Sequence, residues 1–326
     1  MNIVAQSPCR IDIGGTWDMP MFSLLYRKIN PVTITISLAY KTEVKLSDYD
    51  SGQILIIEGS EIIESDSDNL CFQGKYALVN AILSYFRADG LCVEISKNFP
   101  YQSGLGGSGS LAVCLIAALA KLNKFSIPPR SIVKLAHNIE DGLRISYTGY
   151  QDQCAAMYGG VMLWDWTNEN DSELLPASKY HELEERLVIA YIGKGHDGNI
   201  VNQKQVESFL SGSHRKEWVA INDNTHHCAE KLTQMDWDGV KKCITLEHVI
   251  RTSIVPERLT GASHTYEKIV HECGGGFGVS GSGGTVFYLA KDAEEAGLVR
   301  GAWAKIPSSE ILDSKISNTG TMIELE

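Results

Sequence analysis

Pro100-Tyr-Gln-Ser-Gly-Leu-Gly-Gly-Ser-Gly-Ser110 leads directly into Leu111-Ala-Val-Cys-Leu-Ile-Ala-Ala-Leu-Ala120, a run with no charged residue. A helix that is apolar on nearly all sides must be buried. The small residues ahead of it let backbone N–H groups converge on an anion without interference from Cβ atoms, and the helix N-terminus adds positive potential. The reading is an ATP-phosphate loop formed by Gly104, Leu105, Gly106, Gly107, Ser108, Gly109 and Ser110, with the hydroxyls of Ser108 and Ser110 offered to phosphate oxygens or a metal ion. The plainer alternative is a glycine-rich turn packed tightly on a buried helix.

Two other phosphate motifs are excluded by spacing. A P-loop of the Walker type needs a lysine after its last glycine, and none follows here. Gly104 to Gly109 matches G-x-G-x-x-G literally, but a dinucleotide fingerprint sits in the turn directly after a strand and needs an acidic residue about 20 positions later. A loop containing Pro100 intervenes, and the downstream register falls on Ile127-Pro-Pro-Arg130. An NAD(P)-dependent oxidoreductase is therefore the remote alternative.

Outward from the loop, isolated charges stand in apolar settings. On a helix from Ser131 to Asp141, Glu140 shares a face with Val133 and Ala136, which draws its carboxylate inward. Either a magnesium ion shared with a loop serine or an ion pair with a nearby Lys or Arg satisfies it. Asp152 sits in the first turn of the short helix in Gly149-Tyr-Gln-Asp-Gln-Cys-Ala-Ala-Met-Tyr-Gly-Gly160, where a carboxylate also suits the helix dipole. Arg10 lies inside an apolar strand and needs a partner; pairing it with Asp152 would keep that carboxylate ionised and aimed.

Composition sets the bounds. The net charge of −11 over 326 residues argues against a nucleic-acid partner, which calls for a basic excess. The 8 cysteines form no C-x-x-C pair, and several lie in apolar runs, which suits a reducing compartment. The N-terminus does not read as a signal peptide and the longest apolar run is too short for a bilayer, so the expectation is a cytoplasmic protein without a membrane partner. Strands and helices alternate along the chain, giving an α+β expectation with two packed domains, residues 1–180 and 181–326.

Three segments in order resemble the GHMP small-molecule kinases: Ser7-Pro-Cys-Arg-Ile-Asp-Ile-Gly-Gly-Thr-Trp-Asp18, the loop at 100–110, and Gly278-Val-Ser-Gly-Ser-Gly-Gly-Thr-Val-Phe-Tyr-Leu289. The resemblance covers nearly the whole chain. It implies an N-terminal domain of ribosomal-protein-S5-like fold, a ferredoxin-like C-terminal domain, and ATP with Mg2+ as cofactors. Ser108 and Glu140 then match the metal ligands, Asp152 the catalytic aspartate, and Arg10 the basic residue beside it. Asp18 matches the acceptor-binding acid, and Gly281, Ser282 and Gly283 match the turn over the phosphates and acceptor. The segment around Asp152 is similar to that of D-glycero-D-manno-heptose 7-phosphate kinases and, more loosely, L-fucokinases. The implied function is an ATP-dependent sugar kinase acting on a small-molecule sugar or sugar phosphate at the anomeric hydroxyl. L-fucose or galactose kinase is the alternative, and a GHMP-fold decarboxylase or silent sugar sensor is more distant.

The chain departs from the heptose kinases in three places. The interval from Arg10 to Asp18 is one residue short and carries Trp17; Gly107 replaces the first loop serine; and Tyr191-Ile-Gly-Lys-Gly-His-Asp-Gly-Asn199 lacks a serine–arginine pair. Lys194 and His196 are the substitutes available there for holding a phosphate. Ser65-Asp-Ser-Asp-Asn69 lacks the glycine of a calcium loop and reads as a turn.

Overall fold

The computed structural model describes residues 2–144, 147–193 and 198–325, apart from the side chains of 198 and 199. The first half builds β1 (Ile3–Gly14), α1 (Pro20–Leu25), β2 (Val32–Asp48), β3 (Gln53–Glu58), β4 (Glu61–Asp66), α2 (Ala77–Tyr85), β5 (Leu91–Lys97), α3 (Gly107–Leu122), α4 (Pro129–Gly142), α5 (Gln151–Tyr158), β6 (Val161–Asp165) and β7 (Ser172–Glu173). The second half builds α6 (Tyr180–Glu184), β8 (Leu187–Tyr191), α7 (Gly198–Leu210), α8 (Arg215–Thr233), α9 (Trp237–Ile254), α10 (Gly261–Val270), β9 (Phe277–Ser280), β10 (Thr285–Leu289), α11 (Ala293–Trp303), β11 (Glu310–Leu312) and β12 (Met322–Leu325). The class is α+β, as the sequence indicates.

The larger sheet runs β12-β1-β2-β5-β3-β4, with β6 attached to β2 and β7 to β6. Strands β1 and β2 are long and continuous. Pro8, which cannot donate to the ladder, sits at a register shift between Pro8 and Cys9, so β1 bends there without ending. Beyond it Arg10 and Asp12 stay in the ladder, opposite Ser37 and Thr35 of β2. The second sheet, β11-β8-β10-β9, is antiparallel throughout. Strand β12 lies in the first sheet, although it is the last element of the chain.

Alternation along the strands assigns the layers. Val188, Ala190, Val286 and Tyr288 face α10 and α11, in a core with Tyr266, Val299 and Trp303. Leu187, Ile189, Phe287 and Leu289 face the opposite way, onto Ile11, Ile34 and Ile36 of the first sheet and Leu232, Val240 and Ile244 of α8 and α9. This shared core fuses the two halves. Helix α3 packs on β1 and β2 with α2, α4 and α5 around it, and every residue from Gly109 to Ala120 is buried. The predicted all-round apolar helix is thus found between sheet and helices. A fourth core joins Trp17 and Phe22 to Phe209 and Trp218, the rings of Phe22 and Phe209 stacking at 4.0 Å. It fastens α7 beside the start of α1.

Candidate active site

The loop's conformation follows from its glycines. Gly104 and Gly106 have φ of 74° and 76°, a left-handed backbone that favours glycine. A Cβ on Gly104 would lie 2.1 Å from the Gly283 carbonyl oxygen, so the two glycine segments, far apart in sequence, meet backbone to backbone. Leu105 buries its side chain in the shared core, and its carbonyl accepts the Arg10 N–H at 2.9 Å. No side chain caps α3, which leaves its first-turn N–H groups available where Gly106, Gly107 and Ser108 line a cleft.

Arg10 is the hub. Its Nε and Nη2 both donate to Asp152 Oδ1, at 2.7 and 2.5 Å, and Nη1 donates to the Gly104 carbonyl at 2.8 Å and to Ser280 Oγ at 3.2 Å. The expected pairing with Asp152 is present, and it ties β1, the loop, α5 and the second glycine segment together. Asp152 is seated by glycines: Cβ atoms on Gly106 and Gly109 would meet its Cγ at 3.1 Å and its Cβ at 2.6 Å.

Behind Arg10 lies Asp12, which sequence reading did not single out. Its Oδ1 accepts the Gly281 N–H at 2.6 Å and faces Arg10 Nη1 at 3.5 Å, while Oδ2 accepts from Arg251 Nη1 at 2.8 Å. Burial works against the charge, but Arg251, Arg10 and Arg258 together hold this carboxyl well below the usual range. Its signal was present in the sequence: an Asp two residues after Arg10 in a strand shares that residue's face.

Asp18 is buried, and its Oδ2 accepts the Gln151 N–H at 3.4 Å. A Cβ on Gly149 would strike Asp18 Oδ2 at 2.0 Å, so glycine alone lets the loop before α5 approach so closely. Burial, and then the neighbouring charge of Asp152, push the Asp18 carboxyl up to about 7. Asp18 and Asp152 thus occupy one small volume.

Glu140 faces inward on α4, as its helical register requires. The Gln153 amide donates to its Oε2 at 2.8 Å, and the Ser108 hydroxyl bonds to it from the first turn of α3. Burial pushes this carboxyl up to about 7, and among the described residues no Lys, Arg or His pairs with it. The ion-pair alternative is therefore not met. A buried carboxylate beside a loop hydroxyl, without a cation of its own, fits a hard divalent ion. His137, also on α4, is buried, its ring 4.1 Å from that of Tyr150.

These groups converge on a cleft of about 440 Å³. Arg10, Asp18, Gly104, Leu105, Gly106, Gly107, Ser108, Asp152, Gly281, Ser282 and Gly283 all line it, with Glu140 just behind Ser108. Ser110 corrects the sequence reading. Its hydroxyl donates to the Ser7 carbonyl at 3.0 Å and its N–H to the Gly106 carbonyl at 3.0 Å, so neither donor is offered to a phosphate. Gly109 likewise sits under Asp152, off the cleft wall. Lys194 and His196 lie outside the described residues. Sequence reading also missed Lys75, Lys97 and Tyr101 on one side of the loop, and Asn202, Gln205 and Arg251 on the other. No helix among the described residues is long and apolar enough to cross a membrane.

Fold and site together bring two glycine segments and a buried Arg–Asp pair onto one cleft. The models of the GHMP kinase N-terminal and C-terminal domains match residues 75–160 and 228–308. The chain belongs to the GHMP kinase family, whose members are kinases. It is similar to a mevalonate kinase of Thermococcus sibiricus, 25% identical over 59% of this chain and 58% of that protein. It is also similar to a shikimate kinase of Pyrococcus furiosus, 24% identical over 80% of this chain and 85% of that protein. The crystal structure of a D-glycero-D-manno-heptose 1-phosphate kinase from Bacteriodes thetaiotaomicron superposes with a TM-score of 0.75 at 16% identity, covering 99% of each chain. At that identity the likeness shows the fold.

Proposed function

We propose that the protein transfers the γ-phosphoryl group of ATP to the anomeric hydroxyl of a sugar or sugar phosphate, with D-glycero-D-manno-heptose 7-phosphate favoured. The observation that carries the reading is the placement of Asp152, held by Arg10, within one cleft that also contains the glycine loop and Asp18. Asp18, Asn202 and Gln205 give the acceptor side several hydrogen-bonding groups, which suits a polyol better than a mostly apolar acceptor. The heptose kinase fold and the resemblance around Asp152 point the same way.

In this reading the triphosphate lies along the first turn of α3, where the N–H groups of Gly106 to Ser108 offset charge on the transferring oxygens. Ser108 and Glu140 would hold Mg2+, which supplies charge neutralisation for the phosphates when bound. Asp152 accepts the acceptor's hydroxyl proton as the bond to phosphorus forms, and Arg10 fixes the orientation of the carboxylate. Asp18 orients the acceptor by hydrogen bonding to a sugar hydroxyl. Lys75, Lys97 and Tyr101, beside β3 and β5, flank the nucleoside end.

The test is an ATP-consumption screen over free heptoses, heptose 7-phosphates, L-fucose and galactose, with the position of the new phosphate read by NMR. Acceptor-dependent ADP release with a new anomeric phosphate supports the reading. Carbon dioxide release, or no acceptor dependence across the panel, contradicts it.

A further inference from the structure

Arg251 belongs to the cleft wall but not to the Arg10–Asp152 pair. It projects from α9, is 7% exposed, and spends Nη1 on Asp12 Oδ2 at 2.8 Å, with Glu247 Oε1 more distant at 3.9 Å. Among the described residues no acceptor meets its Nε or Nη2, and neither is a sealed orphan. An arginine left half-used at the wall of a polar cleft presents a fork suited to phosphate or carboxylate.

The surrounding charges reinforce this. Arg258 is also buried, donating Nη2 to the Val279 and Gly281 carbonyls at 2.8 and 3.0 Å, and its Nε is a buried donor without a partner. Burial, and then repulsion from Arg251, push Arg258 down to about 9. On the acidic side, Asp12 is shared between Arg10 and Arg251, and burial pushes Glu247 up to about 7. Asp152 is occupied by Arg10. Asp12 Oδ2 is thus the one carboxylate oxygen within hydrogen-bond distance of Arg251 among the described residues, and an anion on the free edge of the guanidinium would complete its bonding.

Position separates this place from the phosphate loop. Asp12 stands between Arg10 and Arg251, so Arg251 lies one carboxylate further from Asp152 and Gly104 than Arg10 does. Asn202, Gln205 and Thr16 line the same cleft, with Gln205 bonded to the Thr16 hydroxyl and Asn202 to the Tyr147 carbonyl at 2.9 Å.

We propose that Arg251 receives an anionic group carried by the acceptor itself, a phosphate or a carboxylate, so that the acceptor class is an anionic polyol and not a neutral sugar. The inference rests on reading the cleft as a kinase site. Its rival is that Arg251 serves the phosphoryl group in transit from ATP.

The test uses the whole protein saturated with Mg2+ and the non-hydrolysable analogue AMP-PNP, titrated with inorganic phosphate by calorimetry. The analogue fills the phosphate loop and the position of the transferred group, leaving the acceptor's anion site open. Saturable phosphate binding is expected in the wild type. Arg251→Gln weakens it about tenfold, and Arg251→Lys, which keeps a charge against Asp12 but loses the fork, weakens it severalfold. Thermal melting shows which variants fold, and either folded variant suffices. Unchanged phosphate affinity in a folded variant overturns the proposal, as does phosphate binding that AMP-PNP abolishes. Failure of AMP-PNP to bind would instead overturn the kinase reading, so the two failures are distinguishable.

Discussion

Arg10 places two donors, Nε at 2.7 Å and Nη2 at 2.5 Å, on a single oxygen of Asp152, Oδ1. Among the described residues no donor reaches Oδ2, so one carboxylate oxygen is clamped and the other is free, in the proposed reaction to take the acceptor's proton. A carboxylate held in this way is already oriented for such a role.

Replacing Asp152 with Asn preserves its size and its seat against Gly106 and Gly109 but removes the base. ATP affinity should stay within about twofold while turnover falls about 10²–10⁴-fold, the usual worth of a positioned general base. Calorimetric ATP binding and steady-state ADP release read the two effects separately.

Arg10 is 4% exposed and bonded to three separate segments besides its own strand. Arg10→Met would leave Asp152 without its cation and Ser280 Oγ without its donor, and the Gly104 carbonyl would keep only the Ser280 hydroxyl. Breaking a largely buried pair from one side costs about 3–5 kcal/mol. Urea unfolding should show that loss, with Arg10→Lys falling between the two because it cannot span the same partners.

Gly109→Ala puts a methyl group 2.6 Å from the Asp152 Cβ, and Gly104→Ala puts one 2.1 Å from the Gly283 carbonyl oxygen in a left-handed backbone. The first should lower turnover with a modest change in stability, because it displaces the base. The second should destabilise the fold by about 1–3 kcal/mol, because backbone must move and the conformation is strained. Parallel kinetics and thermal melts separate the two outcomes.

Stability should depend on pH through Asp18. Its folded-state pKa is raised to about 7, so between about pH 4 and that value the folded chain holds a proton that the unfolded chain has released. Stability is therefore highest near the acidic end of this window, falls as pH rises through it, and levels off above about 7. Asp18→Asn should remove this group's share of the slope in urea unfolding across the window, and should raise the acceptor KM more than the KM for ATP. A slope identical to that of wild type would show that Asp18 keeps an ordinary pKa.

Local signals were legible and lone long-range partners were not. The buried helix after Ser108, the inward Glu140 and the first-turn Asp152 all follow from periodicity and glycine placement within short windows. The pairing of Asp12 on β1 with Arg251 on α9 joins two charges far apart in sequence. No periodicity reports such a pair. The continuity of β1 through Pro8, and the return of β12 to β1, were hidden for a related reason: pairing is a property of the neighbouring strand. Ser110 shows the converse error, since its sequence neighbours suggest a ligand while its place on α3 turns it toward Ser7.

The most direct test of phosphoryl transfer through Asp152 is ³¹P NMR of ATP with the acceptor panel, run on the wild type and Asp152→Asn side by side. ADP and a new phosphate ester are expected in equal amounts for the wild type, and neither above background for the variant, although the variant still binds ATP. Ester formation by Asp152→Asn at the wild-type rate, or ADP release by the wild type without any ester, would contradict that transfer.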